Sequence, residues 1–191
     1  PTGSALSEQD ITTILDTHDG FVILDQAYVE FGGYNAVPLL STYPNLIITR
    51  TFSKAFAGAG LRLGYMLGQP DVIREINKIK LPYNVNFFSE HVATVLLSRE
   101  DIYAGRIALL ARERERVFTF LRTLSGCTAY ESTANFILLR VPDKNTLFAH
   151  MRDAGILIRD VSGYPMLEHC VRISIGTPQE NDALIQSMTA Y

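Results

Sequence analysis

Apolar positions along the chain follow two rhythms, one helical and one of short unbroken runs. Ile11, Ile14 and Leu15 recur at helical spacing within 10–16, and the run Phe21-Val22-Ile23-Leu24 then ends in Asp25. This order predicts a helix, a turn and a buried strand. A second run, Leu46-Ile47-Ile48-Thr49, follows Tyr43-Pro44-Asn45, and a third, Leu63 to Leu67, stops at Gly68-Gln69-Pro70. Unbroken runs suit strands covered on both faces, so the first half predicts an α/β sheet with functional residues gathered at strand ends. Helical periodicity covers 70–80, breaks at Leu81-Pro82-Tyr83-Asn84, and resumes from Ser89, the expected N-cap, to about Leu97. A long helix is expected over 100–124, in which the alternating charges Arg112-Glu113-Arg114-Glu115-Arg116 read as a solvated face. Beyond Ser125-Gly126 the pattern predicts strand 136–140, helix 146–154, strands 156–159 and 171–175, and helix 179–188, a compact α+β unit.

Charge and cysteine content narrow the function classes. The chain has 17 basic and 20 acidic residues, a formal charge of −3, so no uniform positive field awaits nucleic acid or an anionic membrane. Cys127 and Cys170 lack the pairing of a disulfide framework or zinc knuckle, which fits a reducing cytoplasm. No apolar run approaches the roughly 18 residues of a spanning helix, and the N-terminus lacks the layout of a signal peptide. Pro1-Thr2-Gly3 is a turn sequence with no element before it, and three strands are few for a covered sheet; the chain reads as cut from something longer.

Candidate chemistry lies at the ends of the first two apolar runs. Asp25 follows a strand, among apolar neighbours where an unpaired carboxylate is costly, so it is expected to have a partner; by itself it could equally be a helix cap. Tyr28, three residues on, is ambiguous between packing and function. Lys54 follows the second run among aromatic and small residues, surroundings in which a lysine becomes a free amine able to condense with a carbonyl. Thr51 and Ser53 add hydroxyls, and Arg62 adds a guanidinium within the glycine-rich stretch, so these residues suit a phosphate pocket beside an amine. Gly58-x-Gly60-x-x-x-Gly64 misses the dinucleotide spacing, and His18, His91, His150 and His169 show no metal-ligand spacing.

The segments Leu24-Asp25-Gln26-Ala27-Tyr28-Val29-Glu30-Phe31 and Thr51-Phe52-Ser53-Lys54-Ala55-Phe56, with Arg62 and Tyr65 beyond, resemble the cofactor site of fold-type I pyridoxal-phosphate aminotransferases. Lys80-Leu81-Pro82-Tyr83-Asn84, Arg159-Asp160 and Val171-Arg172 are most similar to the histidinol-phosphate aminotransferases within that group. The resemblance covers essentially the whole chain. It implies part of the large mixed-sheet domain of such an enzyme over 1–112, followed by a small α+β domain over 113–191.

By that resemblance the cofactor is pyridoxal 5'-phosphate. Lys54 would bind it covalently and carry the proton in the transfer, Asp25 would pair with the pyridine nitrogen, and Tyr28 would hydrogen-bond the ring oxygen. Thr51, Ser53 and Arg62 would hold its phosphate, and Arg159 and Arg172 the anionic end of the substrate. Asp160 offers Arg159 a simple ion pair instead. The implied reaction transfers the amino group of a phosphorylated amine, L-histidinol phosphate, to the 2-oxo acid 2-oxoglutarate, in a cytoplasmic homodimer without metal. The chain departs from the family at Gln26, where a glutamate is usual, and begins just after the asparagine that contacts the ring oxygen; alone it is expected to be inactive. Rival readings are a threonine-phosphate decarboxylase, an aromatic aminotransferase, and a non-catalytic domain that binds a phosphorylated ligand.

Overall fold

The computed structural model describes the backbone of residues 1–191 and every side chain except that of Glu100. The protein is mixed α/β and divides into two compact units, Ala5–Gly105 and Arg106–Tyr191 together with Pro1–Ser4.

In the first unit, helix α1 (Glu8–Thr17) opens with a reciprocal cap: the Ser7 hydroxyl accepts from the Asp10 amide, and the Asp10 carboxylate accepts from the Ser7 amide. It is followed by β1 (Val22–Asp25), β2 (Leu46–Thr51), β3 (Gly64–Leu67), α2 (Pro70–Ile79) and α3 (Phe87–Leu97). The sheet order is β1-β2-β3, with β1 parallel and β3 antiparallel to β2. Register pairs Leu24 with Ile48 and Ile48 with Leu67, and this face meets Ile11 and Leu15 of α1 in a common core. The opposite face is open along β1, where Ile23 is 64% exposed, so the expectation of strands covered on both faces holds only for the start of the central β2. A short apolar run cannot tell a strand with one packed face from a strand with two.

Helix α3 starts earlier than its sequence suggests. Asn86 is the cap, accepting from the Ser89 amide, while the Ser89 hydroxyl turns away to donate to the Leu61 carbonyl at 2.6 Å. Two good capping residues lie one turn apart, and the exposed Phe87 and Phe88 between them obscure the apolar period.

The second unit contains most of α4 (Glu100–Leu121), then β4 (Thr128–Ala129), β5 (Phe136–Arg140), α5 (Lys144–Asp153), β6 (Arg159–Asp160), β7 (Cys170–Ser174) and α6 (Pro178–Ala190). The sheet order is β4-β5-β7-β6, all antiparallel. Ile137, Leu139, Val171 and Ile173 form one face of this sheet and pack against Val117 and Leu121 of α4, Leu147 and Met151 of α5, and Leu184 and Met188 of α6. Strand alternation therefore sends Arg172 and Arg159, which are register partners, to the other face. β6 begins later than expected because only Arg159 and Asp160 pair with β7, while Ile156 and Ile158 turn into the core.

The alternating charges of α4 are a solvated face only in part: Arg112, Glu115 and Arg116 are exposed, and Arg116 pairs with Glu113 within the helix, but Glu113 and Arg114 turn inward. Glu113 is buried, accepting from Arg116 at 2.6 Å and from Asn181 of α6 at 2.8 Å, and Arg114 donates to the Ala134 carbonyl at 2.8 Å. These charges tie α4 to the ends of α6 and β5, which helical charge alternation alone does not foretell.

Candidate active site

Because β1 and β2 run parallel, both carry their C-terminal ends to the same edge of the sheet, where an open α/β sheet leaves a crevice. Asp25 is the register partner of Thr49, and Thr51 that of Gly64, so these residues share the face turned away from the core. A cleft of about 510 Å³ opens there, lined among others by Asp25, Thr51, Ser53, Lys54, Arg62 and Gly64. That volume lies in the range of small-molecule sites.

The turn after β2 shapes the cleft. The Thr51 hydroxyl accepts from the Ser53 amide at 3.1 Å, and the Gly58 amide returns to the Phe52 carbonyl at 2.8 Å. Phe52 is buried against Phe56 and Tyr65, with ring centroids 5.1 and 5.6 Å away. The aromatics of the segment face inward and Lys54 faces outward. Its ammonium lies 5.2 Å from the centroid of the Tyr28 ring, a cation–π arrangement. The apolar enclosure expected for Lys54 is therefore not found; it is exposed, with one aromatic face beside it.

Asp25 is exposed as well, because β1 is an edge strand and the residue stands on its uncovered face. The partner expected for it is the Ala27 amide, which donates to Oδ1 at 3.0 Å. Arg62 adopts a left-handed backbone conformation, φ 51°, and donates to the Ala59 carbonyl at 2.9 Å. Ser89 holds the preceding carbonyl of Leu61, so the loop that presents Arg62 is anchored to α3. Gly64 is needed at its place: a Cβ would lie 2.7 Å from the Arg50 carbonyl oxygen.

In the second unit, the ion pair open to Arg159 is not made. Asp160 accepts from Lys144 Nζ at 3.0 Å and from the Ser162 amide at 2.8 Å. The Ser162 amide and hydroxyl, then Lys144, hold its carboxyl down to about 2. Arg172 lies over the Phe136 ring at 4.8 Å, and its Nε is buried without a hydrogen-bond partner. Two arginines thus stand side by side on one sheet face, and among the described residues neither has a carboxylate at ion-pair distance.

The structure therefore brings Asp25, Thr51, Ser53, Lys54 and Arg62 into one cleft with Tyr28 beside Lys54, and places Arg159 next to Arg172 within the other unit. Thr49 and Arg50 also line the cleft and were not singled out by sequence, since nothing marks a strand residue as site-facing until its register is known.

A family model described as aminotransferase class I and II matches residues 1–188. The chain belongs to this aminotransferase family. A histidinol-phosphate aminotransferase from Chlorobaculum tepidum is 36% identical over 97% of this chain and 54% of its own length. The chain spans about half the length of the curated aminotransferases it matches. Among solved structures, L-threonine-O-3-phosphate decarboxylase from Porphyromonas gingivalis is 28% identical with a TM-score of 0.87, covering 100% of this chain and 61% of that one. Histidinol-phosphate aminotransferase from Sinorhizobium meliloti, solved in complex with pyridoxal-5'-phosphate, is 26% identical with a TM-score of 0.84 over 100% of this chain and 56% of that one.

Class I and II aminotransferases use pyridoxal phosphate, and the donor set of the cleft fits it. The cofactor needs an amine for its aldehyde, an acid for its ring nitrogen and a cation with hydroxyls for its phosphate. Lys54, Asp25, and Arg62 with Ser53 and Thr51 offer groups of those kinds on a single open cleft.

Proposed function

We propose that this chain carries the lysine-bearing half of a transaminase that moves the amino group of L-histidinol phosphate to 2-oxoglutarate. The observation that supports it most is the shared cleft of Lys54, Asp25 and Arg62. The choice of substrate is supported by relatives named for histidinol phosphate at 36–42% identity.

Pyridoxal phosphate, when bound, supplies the electron sink for the carbanion left when a substrate Cα–H bond breaks. Lys54 Nζ would hold the cofactor through its aldehyde carbon and, once the substrate amine replaces it there and frees it, would move the proton from the substrate Cα. Asp25 would pair with the protonated ring nitrogen, an ionic contact its outward placement on β1 permits. Tyr28, whose ring centroid lies 5.2 Å from Lys54 Nζ, would hydrogen-bond the cofactor's ring oxygen. Arg62 and the Ser53 and Thr51 hydroxyls bind phosphate. Arg172 and Arg159 take the anionic end of each substrate in turn, phosphate or carboxylate, since an unpaired guanidinium accepts both.

The same proposal includes a cytoplasmic homodimer and weak cofactor binding by the 191-residue chain alone; the domain boundary expected after residue 112 lies within α4, later than the division between the compact units at Gly105. Steady-state assays of the longest natural polypeptide containing this chain, with histidinol phosphate, phosphothreonine and phenylalanine, test the substrate choice. Preference for histidinol phosphate with 2-oxoglutarate is expected. Carbon dioxide release from phosphothreonine would establish instead the second reading, which the likeness to the Porphyromonas gingivalis decarboxylase favours.

A further inference from the structure

Arg50 stands in β2 one residue before Thr51 and four before Lys54, and its guanidinium is used in an unexpected way. Its Nη2 donates to Gln26 Oε1 at 2.9 Å and to Asn35 Oδ1 at 2.6 Å, two neutral amides. Gln26 is 6% exposed; its Nε2 donates to the Tyr34 carbonyl at 2.6 Å and its backbone amide to the Thr49 carbonyl at 2.8 Å. Asn35 Oδ1 also accepts from the Val37 amide at 3.2 Å. The Arg50 Nε is buried and has no partner.

The orphaned N–H on this partly buried cation costs free energy, which its two charge-assisted hydrogen bonds and the nearby Glu30 carboxylate offset. What the guanidinium achieves is geometric. It grips Gln26, the residue next to Asp25, and Asn35, at the far end of the loop that carries Tyr28. Its own backbone leads directly into the turn bearing Thr51, Ser53 and Lys54. A planar fork with two acceptors fixes direction as well as distance, which a lysine ammonium does not.

We propose that Arg50 is a positioning residue that sets Asp25 and Tyr28, on one loop, against Thr51, Ser53 and Lys54, on the next. The inference rests on the cofactor reading above. Arg50 also lines the cleft beside Thr49 and Thr51; the positioning role is exerted through Gln26 and Asn35.

The test compares wild type, Arg50→Met, Arg50→Lys and Asn35→Ala in the longest natural polypeptide containing this chain. Three properties are read: thermal melting, amide hydrogen exchange over 26–35, and the affinity and visible absorption band of added pyridoxal phosphate. Arg50→Met strands the buried Gln26 Oε1 and is expected to melt below the wild-type temperature, exchange faster over 26–35, and bind the cofactor about tenfold more weakly with an altered band. Arg50→Lys is expected to restore little of this. A folded Arg50→Met variant with wild-type affinity and band overturns the inference, even if exchange quickens, because the guanidinium is then only structural. Because Arg50 also lines the cleft and Asn35 does not, Asn35→Ala decides whether or not Arg50→Met folds: weaker cofactor binding supports the clamp and unchanged binding overturns it. If wild type forms no visible band, the cofactor reading fails and this inference falls with it, an outcome distinct from failure of the variants alone.

Discussion

Arg159 of β6 stands directly opposite Arg172 of β7, and the adjacent carboxylate of Asp160 is held by Lys144 instead. Like charges facing each other across a strand pair destabilise a sheet, so the pair is expected to serve binding at some cost to stability. Arg159→Gln should therefore melt at or above the wild-type temperature, while KM for a phosphate-bearing substrate rises about tenfold to a hundredfold, the worth of one charged hydrogen bond. Melting curves and steady-state kinetics check this. A lower melting temperature with unchanged KM would mark Arg159 as structural.

The Asp160 carboxyl gives the second unit an acid-sensitive tie. Its folded value is depressed from 3.8 to about 2, so its contribution is complete above the ordinary carboxylate range and is lost as pH falls from about 4 towards 2. Asp160→Asn should flatten that limb of a plot of melting temperature against pH and lower the neutral melting temperature by a matching, modest amount, since Asp160 is half exposed and its pair with Lys144 is partly screened. An unchanged acid limb would show that other carboxylates control it.

Asn181 is 2% exposed and makes three side-chain bonds, to the Glu113 carboxylate and to both the amide and the carbonyl of Gly176. Asn181→Ala strands those groups and should cost about 1–3 kcal/mol in urea unfolding. It also loosens the exit of β7, the strand that carries Arg172, so substrate affinity should fall with stability.

At Gly64 a methyl group would meet backbone, the Arg50 carbonyl oxygen at 2.7 Å, which cannot swing aside as a side chain can. Gly64→Ala should destabilise the first unit by about 1–3 kcal/mol and weaken cofactor binding, because Gly64 faces Thr51 across β2 and β3. Chemical unfolding and a cofactor titration measure the two effects.

Much of this architecture was legible in the sequence, for reasons that can be named. The limits of β5 are readable because Phe136 to Leu139 are all buried and charged or polar neighbours bound the run. Asp25, Lys54 and Arg62 were recognisable because strand-end residues of matching chemistry cluster in two short segments. Their exposure was not legible: whether a strand end is covered depends on what packs beside β1, and the local pattern is silent on that. Nor was the role of Arg50, whose acceptors lie 24 and 15 residues away and meet it only through strand register and loop closure. Glu113 was misread for the same reason, since Asn181 is 68 residues distant.

The central claim is that Lys54 is the residue that anchors pyridoxal phosphate. Borohydride reduction in the presence of the cofactor, followed by peptide mass spectrometry, tests it most directly. The account predicts a pyridoxyl adduct on Lys54 Nζ, lost in Lys54→Ala and strongly reduced in Asp25→Ala. Adducts spread over surface lysines such as Lys78 and Lys80, with Lys54 unmodified, would contradict it.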